Sequence, residues 1–200
     1  MKKEQKNNTI LLIVLILVAA VFIFPILLVL MNSFKGQFYI SDQPFALPNR
    51  ETFAGFSNYV RGIEKTSFFS AAFYSFFITV FSVGLIVLCT SMAAWYIMRV
   101  QNWFTRGLYY FFVSAMIVPF QMVMFTMTKV ANALRLDNPV GIILIYLGFG
   151  AGLSVFLFCG FVKAVPKDLE EAAMIDGCTP PVTFFQIIFP ILKPTAITVA

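Results

Sequence analysis

The side chains that usually perform catalysis or hold metals are few and scattered in this sequence. Its 200 residues contain no His, and the three cysteines, Cys89, Cys159 and Cys178, lie far apart. Acid–base or nucleophilic catalysis would need paired carboxylates, a His or a Cys–His pair, and a zinc site would need Cys and His at short spacings. We therefore expect no catalytic centre, no metal and no cofactor in this chain, and interpret the cysteines as small buried side chains.

Four of the nine acidic residues gather in one stretch, residues 163–193, which is too charged to cross a membrane. Pro166 suits the first turn of a short helix there, because its missing N–H is not needed at that point. Three carboxylates favour the positive end of this helix: Asp168, Glu170 and Glu171. Asp176 and Gly177 follow, and Gly177 is a natural stop because glycine readily takes a left-handed conformation.

A second short helix is predicted after Gly177. Thr179 can cap it and Pro180 can begin it, while Pro190 and Pro194 punctuate its end. The stretch is therefore predicted to be two short helices joined at a glycine. Its carboxylates have two interpretations, a solvated helix face beside the helix dipole or a surface that docks on another protein.

The composition of the chain predicts that its main solvent is lipid. Hydrophobic residues make up 60% of it and charged residues only 12%, whereas soluble domains average about 25% charged residues. Four uncharged runs are long enough to cross a bilayer: Ile10–Met31, Phe68–Met98, Gly107–Thr128 and Asn138–Val162. We predict an all-α, polytopic transmembrane helical bundle.

A further apolar run begins at Thr195 and is too short to cross a bilayer by Ala200. Residues 1–200 are therefore expected to form one transmembrane domain with four complete spans, the start of a fifth and a C-terminal truncation. We expect this polypeptide alone not to transport.

Three local features refine this picture. The polar segment Asn32–Ser67 should form a substantial loop with a short helix near Phe56–Ile63. Pro119 should kink or break the third run, with or without a role in shaping a pathway. The fourth run carries glycines that would let a neighbouring helix approach closely: Gly141, Gly148, Gly150, Gly152 and Gly160.

The distribution of basic residues favours a cytoplasmic N-terminus. Eight of the 14 would then lie inside: Lys2, Lys3, Lys6, Arg99, Arg106, Lys163, Lys167 and Lys193. Six would lie outside: Lys35, Arg50, Arg61, Lys65, Lys129 and Arg135. These residues stand singly at the ends of apolar runs, so the net charge of +5 does not indicate nucleic-acid binding.

The charged stretch resembles a family motif. Residues 170–177, Glu-Glu-Ala-Ala-Met-Ile-Asp-Gly, followed by Ile187-Ile188-Phe189-Pro190, look like the EAA loop of ABC importer permeases. Weaker similarities to the carbohydrate branch lie at residues 166–170, 32–35, 56–59 and 91–96. Three residues depart from the usual pattern without removing the helix–turn–helix: Met174, Cys178 and Phe189.

The resemblance implies a role for each part of the motif. Glu170, Glu171, Ala172, Ala173, Asp176, Gly177 and Pro190 would form a cytoplasmic loop that couples to an ATP-hydrolysing subunit. A second permease subunit and an extracytoplasmic solute-binding protein would complete a bacterial or archaeal cell-membrane importer of sugars or oligosaccharides. The chain has no phosphate-binding G-x-x-x-x-G-K-[ST] sequence, so ATP is expected on the partner subunit.

A sugar path would need polar side chains inside the membrane. Gln121, Ser114 and Asn132 are the candidates, and Gln121 is preferred because it lies beside the Pro119 break. The alternative is that each makes an ordinary hydrogen bond between helices.

Other functions compete with this interpretation. The permease could carry a non-sugar solute such as glycerol phosphate. A polytopic membrane enzyme or a secondary transporter or channel is disfavoured, because the four runs lack Asp, Glu, Lys, Arg and His.

Overall fold

The computed structural model describes the backbone of residues 2–200 and the side chains of residues 8–200. The chain divides into two compact units, residues 1–72 and 73–200. Helices dominate both units, and this confirms the predicted all-α fold.

The first unit begins with a long apolar helix. Helix α1 covers Lys2–Ser33, and its part from Asn8 is apolar enough to cross a membrane. The side chains of Lys2, Lys3 and Lys6, which entered the orientation argument, lie outside the described residues. Helices α2 (Gln37–Asp42) and α3 (Ser57–Lys65) follow, and α3 confirms the short helix predicted near Phe56–Ile63.

Polar side chains shape the loop between α1 and α3. The Lys35 side chain is buried, and its Nζ donates to the carbonyl oxygen of Gln43 at 2.7 Å. Asn58 Nδ2 donates to the carbonyl oxygens of Ser33 and Lys35 at 2.9 and 2.6 Å. An isolated antiparallel bridge pairs Lys35 with Phe53. These bonds satisfy backbone groups that no helix or sheet satisfies.

Two straight apolar helices match the predicted runs closely. Helix α4 covers Phe68–Arg99 and begins at the end of the first unit, and helix α7 covers Pro139–Ala164. Asn138 caps α7 by accepting from the N–H groups of Val140 and Gly141. Both helices are long and apolar enough to cross a membrane.

The third predicted run is not one straight span. It forms helices α5 (Trp103–Ile117) and α6 (Phe120–Ala133), bent by 107° to one another. Pro119 has no N–H to continue the helix, and it holds Val118 in an extended conformation with ψ 116°. The prediction of a break at Pro119 is confirmed. The predicted four complete spans become three long helices plus this bent pair.

The charged stretch folds into short helices. Helix α8 covers Asp168–Ile175, and helix α9 covers Pro180–Thr183. A π-helical turn, Phe184–Ile188, continues into α10 (Phe189–Ile191) and α11 (Lys193–Val199). Pro166 was expected in the first turn of α8 but lies one residue before its N-cap, Lys167.

Pro190 and Pro194 flank the point where the second helix ends, as the sequence predicts. The helical path that begins at Pro180 ends at Ile191, one residue after Pro190, and bends by 72° before α11 begins at Lys193. Pro194 lies in the first turn of α11, where a proline needs no N–H.

The core of the second unit joins α4, α7 and the segment after Gly177. Its fully buried side chains come from all three: Ala94, Val155, Phe158, Val162, Phe184, Ile188 and Leu192. Helix α5 packs on α7 at Gly152, where an added Cβ would lie 2.9 Å from the carbonyl oxygen of Phe112. The close helix approach expected of the α7 glycines therefore occurs at Gly152 and at Gly150, where an added Cβ would lie 2.8 Å from the Ile86 side chain of α4. Gly141 lies against the backbone of Leu136 in the preceding loop, and Gly148 and Gly160 have nothing within 4 Å.

Candidate functional site

Helix α8 ends in a glycine-dependent turn. Gly177 has φ +83°, so it takes the left-handed conformation predicted for it. Its N–H donates to Met174 O at 3.1 Å, and the Cys178 N–H donates to Ala173 O at 2.9 Å. This is the Schellman pattern, which satisfies carbonyls that a helix end leaves free. The turn fixes the direction in which the chain leaves α8.

Glu170 lies on the inner face of α8 and is 6% exposed. One carboxylate oxygen accepts from Arg99 Nε at 2.7 Å and lies 2.6 Å from another guanidinium nitrogen. The other oxygen accepts from Trp95 Nε1 at 3.1 Å. Arg99 also donates to the carbonyl oxygen of Val165 at 3.0 Å. We call these three side chains the Trp95–Arg99–Glu170 network.

The network ties the 163–193 loop to the end of α4. A carboxylate and a guanidinium can both be buried at low cost only when each is paired and hydrogen-bonded. The indole of Trp95 also packs on the ring of Phe184, with ring centroids 5.5 Å apart. The network and this ring contact therefore hold both parts of the helix–turn–helix against one helix.

The outer face of α8 is open. Glu171, Ala172, Asp176 and Gly177 are exposed, and Ile175 is 86% exposed. Ala173, by contrast, is buried beneath the helix. A carboxylate, a small side chain and a large apolar side chain thus face outward together.

The segment after Gly177 is anchored mainly by its apolar side chains. Thr179 occupies the N-cap position of α9 as predicted, yet its side chain makes no cap hydrogen bond. Phe184 and Ile188 are buried, while Pro190 is exposed. Pro190 therefore lies on the surface of the loop, although it does not belong to α8.

The three candidate path residues are not brought into one site. Ser114 lies on α5, where its hydroxyl donates to Phe111 O of the same helix at 2.8 Å. Gln121 and Asn132 lie on α6, both exposed, eleven positions apart and thus on one helix face about 16 Å apart. Thr128 shares this face, seven positions after Gln121. Three polar side chains therefore form a stripe along α6 after the break, on a face that also carries the exposed Phe125.

Sequence reasoning did not single out two residues of the network. Arg99 was counted only as loop charge, and Trp95 only as part of a weak resemblance. The available signal was their spacing, because residues i and i+4 at the end of one apolar helix share a face. Their common partner, Glu170, lies 71 positions after Arg99 in the sequence, so the spacing alone does not identify it.

Within the side chains of residues 8–200, no group of three or more His, Cys, Asp or Glu could hold a metal ion. The arrangement offers rigid attachment of α8 to α4 and an exposed outer face.

The fold defines a helical protein with several helices long and apolar enough to cross a membrane. A family model described as a binding-protein-dependent transport system inner membrane component matches residues 86–200. The chain belongs to this family, and its membership confirms the resemblance to importer permeases. It also agrees with the expectation of a transport subunit rather than an enzyme.

Two relatives support the same membership. The chain is 34% identical over 180 residues to a probable starch degradation products transport system permease protein of Thermoanaerobacterium thermosulfurigenes, covering 90% of this chain and 65% of that protein. It is 34% identical over 200 residues to a multiple sugar-binding transport system permease protein of Streptococcus mutans, covering 97% of this chain and 70% of that protein. The chain thus spans about two thirds of these relatives.

A solved structure has the same fold. It is a bacterial ABC transporter involved in the import of the acidic polysaccharide alginate, matched with a TM-score of 0.81 at 21% identity. The match covers 100% of this chain and 69% of that chain.

Proposed function

We propose that this chain is a membrane-spanning permease subunit of an ATP-driven importer for a sugar or oligosaccharide. The observation that carries the proposal is the 163–193 loop, whose α8 faces outward while Glu170 fixes it to α4. The permease relatives named for starch degradation products and for multiple sugars support a carbohydrate as the solute. A non-sugar solute such as glycerol phosphate is the alternative within the same mechanism.

The proposed mechanism is mechanical. An ATP-binding subunit docks on the outer face of α8, where Glu171 and Ile175 are exposed. Movement of that subunit then displaces α8, and the Trp95–Arg99–Glu170 network passes the displacement to α4 as a rigid-body motion. Within this division of roles, Glu171 is a docking contact, and Glu170 is a positioning residue that holds the docking helix.

The partners follow from this mechanism. An ATP-binding subunit would supply hydrolysis, a second permease subunit would complete the pathway, and a solute-binding protein would deliver the sugar. The N-terminus and the 163–193 loop would lie in the cytoplasm, and the loop after α1 would lie outside. The stripe of Gln121, Thr128 and Asn132 would offer hydrogen-bonding groups to sugar hydroxyls along α6.

The test compares two exposed carboxylates. The chain is coexpressed with an ATP-binding subunit, a second permease and a solute-binding protein, and copurified ATP-binding subunit and uptake of labelled oligosaccharide are measured. Glu171→Lys should reduce both about tenfold, whereas Glu64→Lys, an exposed carboxylate on α3, should change neither. Normal copurification with Glu171→Lys would contradict the docking role. Uptake of labelled glycerol phosphate in place of any sugar would contradict the carbohydrate assignment.

A further inference from the structure

A groove lies between α5 and α7. It is located where α5 begins and where α7 ends and leads into the 163–193 loop. Its volume is about 930 Å³. Three basic residues line it, Arg106, Lys163 and Lys167, and all three are exposed. We call it the basic groove. It takes no part in the docking or path roles proposed above.

The charge in the basic groove is not balanced by the protein. Arg99 also reaches the groove, but its guanidinium is paired with Glu170. Among the described side chains, no ion pair involves Arg106, Lys163 or Lys167. The nearby carboxylates of Asp168 and Glu171 are exposed on α8 and do not line the groove. Three positive charges therefore face an open cavity without an acidic partner in its lining.

The helix ends add to this field. Helix α5 begins at the groove, with Asn102 as its N-cap, so the positive end of its dipole lies there. Helix α7 ends at the groove, and its negative end is offset by Lys163 in the last turn. An anion is favoured on the α5 side.

The opposite end of the groove is apolar and aromatic. Phe156 and Leu157 line it from α7, and Tyr109 and Tyr110 line it from α5. Phe156 lies seven positions before Lys163, which places it about 10 Å deeper along the helix. Gly160, between them, leaves open space, because nothing lies within 4 Å of an added Cβ. One end of the groove suits a phosphate, and the other suits a hydrocarbon chain.

We infer that the basic groove binds one anionic phospholipid, with its phosphate held by Arg106, Lys163 and Lys167 and an acyl chain along Phe156 and Tyr110. A lipid fits better than a free phosphate, because only a lipid would fill the apolar end. Basic pockets between membrane helices near the cytoplasmic side bind lipid headgroups in this way. Tyrosines suit the depth at which headgroups meet hydrocarbon.

The test uses the chain in its assembled transporter, reconstituted in nanodiscs. Photoactivatable phosphatidylglycerol and phosphatidylcholine with identical acyl chains are crosslinked in parallel, and adducts are mapped by mass spectrometry. Phosphatidylglycerol should be enriched on peptides covering residues 101–110 and 156–164. Raised salt should reduce the enrichment, since the charges are near the surface.

Charge variants make the test specific. Each of Arg106→Gln, Lys163→Gln and Lys167→Gln should reduce the preference for phosphatidylglycerol about fivefold, which corresponds to ~1 kcal/mol per basic residue. The matched triple variant Arg61→Gln/Lys65→Gln/Lys129→Gln removes three exposed charges elsewhere and should leave the preference unchanged. The double variant Lys163→Arg/Lys167→Arg preserves the charge of the groove and should retain the preference for phosphatidylglycerol.

Three outcomes would overturn the inference. Equal labelling by the two lipids would show that the groove has no preference for an anion. Full preference in a variant that combines Arg106→Gln, Lys163→Gln and Lys167→Gln would place the lipid elsewhere. Displacement of phosphatidylglycerol by millimolar inorganic phosphate would indicate a soluble anion. None of these results bears on the ATP-binding subunit, which docks on α8 in the proposed function.

Discussion

The guanidinium of Arg99 and the carboxylate of Glu170 approach to 2.6 Å, although 71 positions separate them in the sequence. Arg99 is the last residue of α4, and Glu170 lies in the first turn of α8. Their side chains are 14% and 8% exposed, so water screens the pair only weakly. This pair joins α8, whose outer face is exposed, to the long apolar helix α4.

Removing one member of the pair should loosen the loop. Arg99→Ala leaves the Glu170 carboxylate buried without a cation, which costs about 3–5 kcal/mol when a pair is buried. We expect faster hydrogen exchange across residues 163–193 and a lower melting temperature in detergent. Glu171→Gln, next to Glu170 but exposed, is the matched control and should change stability by less than about 0.5 kcal/mol. Unchanged exchange in Arg99→Ala would mean that apolar packing alone holds α8.

The turn at Gly177 should distinguish side chains by their tolerance of positive φ. Nothing lies within 4 Å of an added Cβ, so the effect of a substitution there is conformational rather than steric. Gly177→Val should cost roughly 1–2 kcal/mol or more, and Gly177→Asn should be milder. Copurified ATP-binding subunit and hydrogen exchange of α8 measure the effect, and Gly62→Val, at a glycine of α3 with open space and no positive φ, is the control. Wild-type behaviour of both Gly177 variants would remove the special role of the turn.

Two glycines of α7 offer a matched pair for helix packing. At Gly152 an added Cβ would lie 2.9 Å from a backbone oxygen of α5, and at Gly148 it would meet nothing within 4 Å. Gly152→Ala should therefore cost about 1–3 kcal/mol through overpacking. Gly148→Ala should leave the melting temperature unchanged or slightly raised, because alanine favours a helix. Equal melting temperatures for the two variants would contradict the close contact of α5 and α7.

The orientation can be tested at positions that the structure shows to be accessible. On a background lacking Cys89, Cys159 and Cys178, a cysteine at Ile175 should react with an impermeant maleimide only after permeabilisation. A cysteine at Phe38 should react in intact cells. The two native side chains are 86% and 90% exposed, and the cells express the chain without the ATP-binding subunit proposed to cover Ile175, so access does not limit labelling. Labelling of Ile175→Cys from outside intact cells would reverse the assignment.

The break at Pro119 should depend on the proline itself. Pro119→Ala restores the N–H and releases Val118 from the extended conformation, so the 107° bend between α5 and α6 should relax. Distances between spin labels at Leu108 and Lys129 should lengthen relative to the wild type. Leu134→Ala is the control. Leu134 is exposed and lies outside the bend, so this substitution should leave the distance unchanged.

The sequence by itself determined the membrane class, the ends of α4 and α7, the break at Pro119 and the turn at Gly177. Each of these depends on local physics: apolar length, a missing N–H, or a backbone conformation that glycine adopts readily. The neighbouring glutamates Glu170 and Glu171 look alike in the sequence, and only the tertiary structure turns one inward to Arg99 and the other outward. Only the tertiary structure shows the basic groove as well, because in the sequence Arg106, Lys163 and Lys167 were interpreted as separate loop charges. Their convergence depends on how α5 packs on α7, and helix packing is decided by contacts between residues distant in sequence.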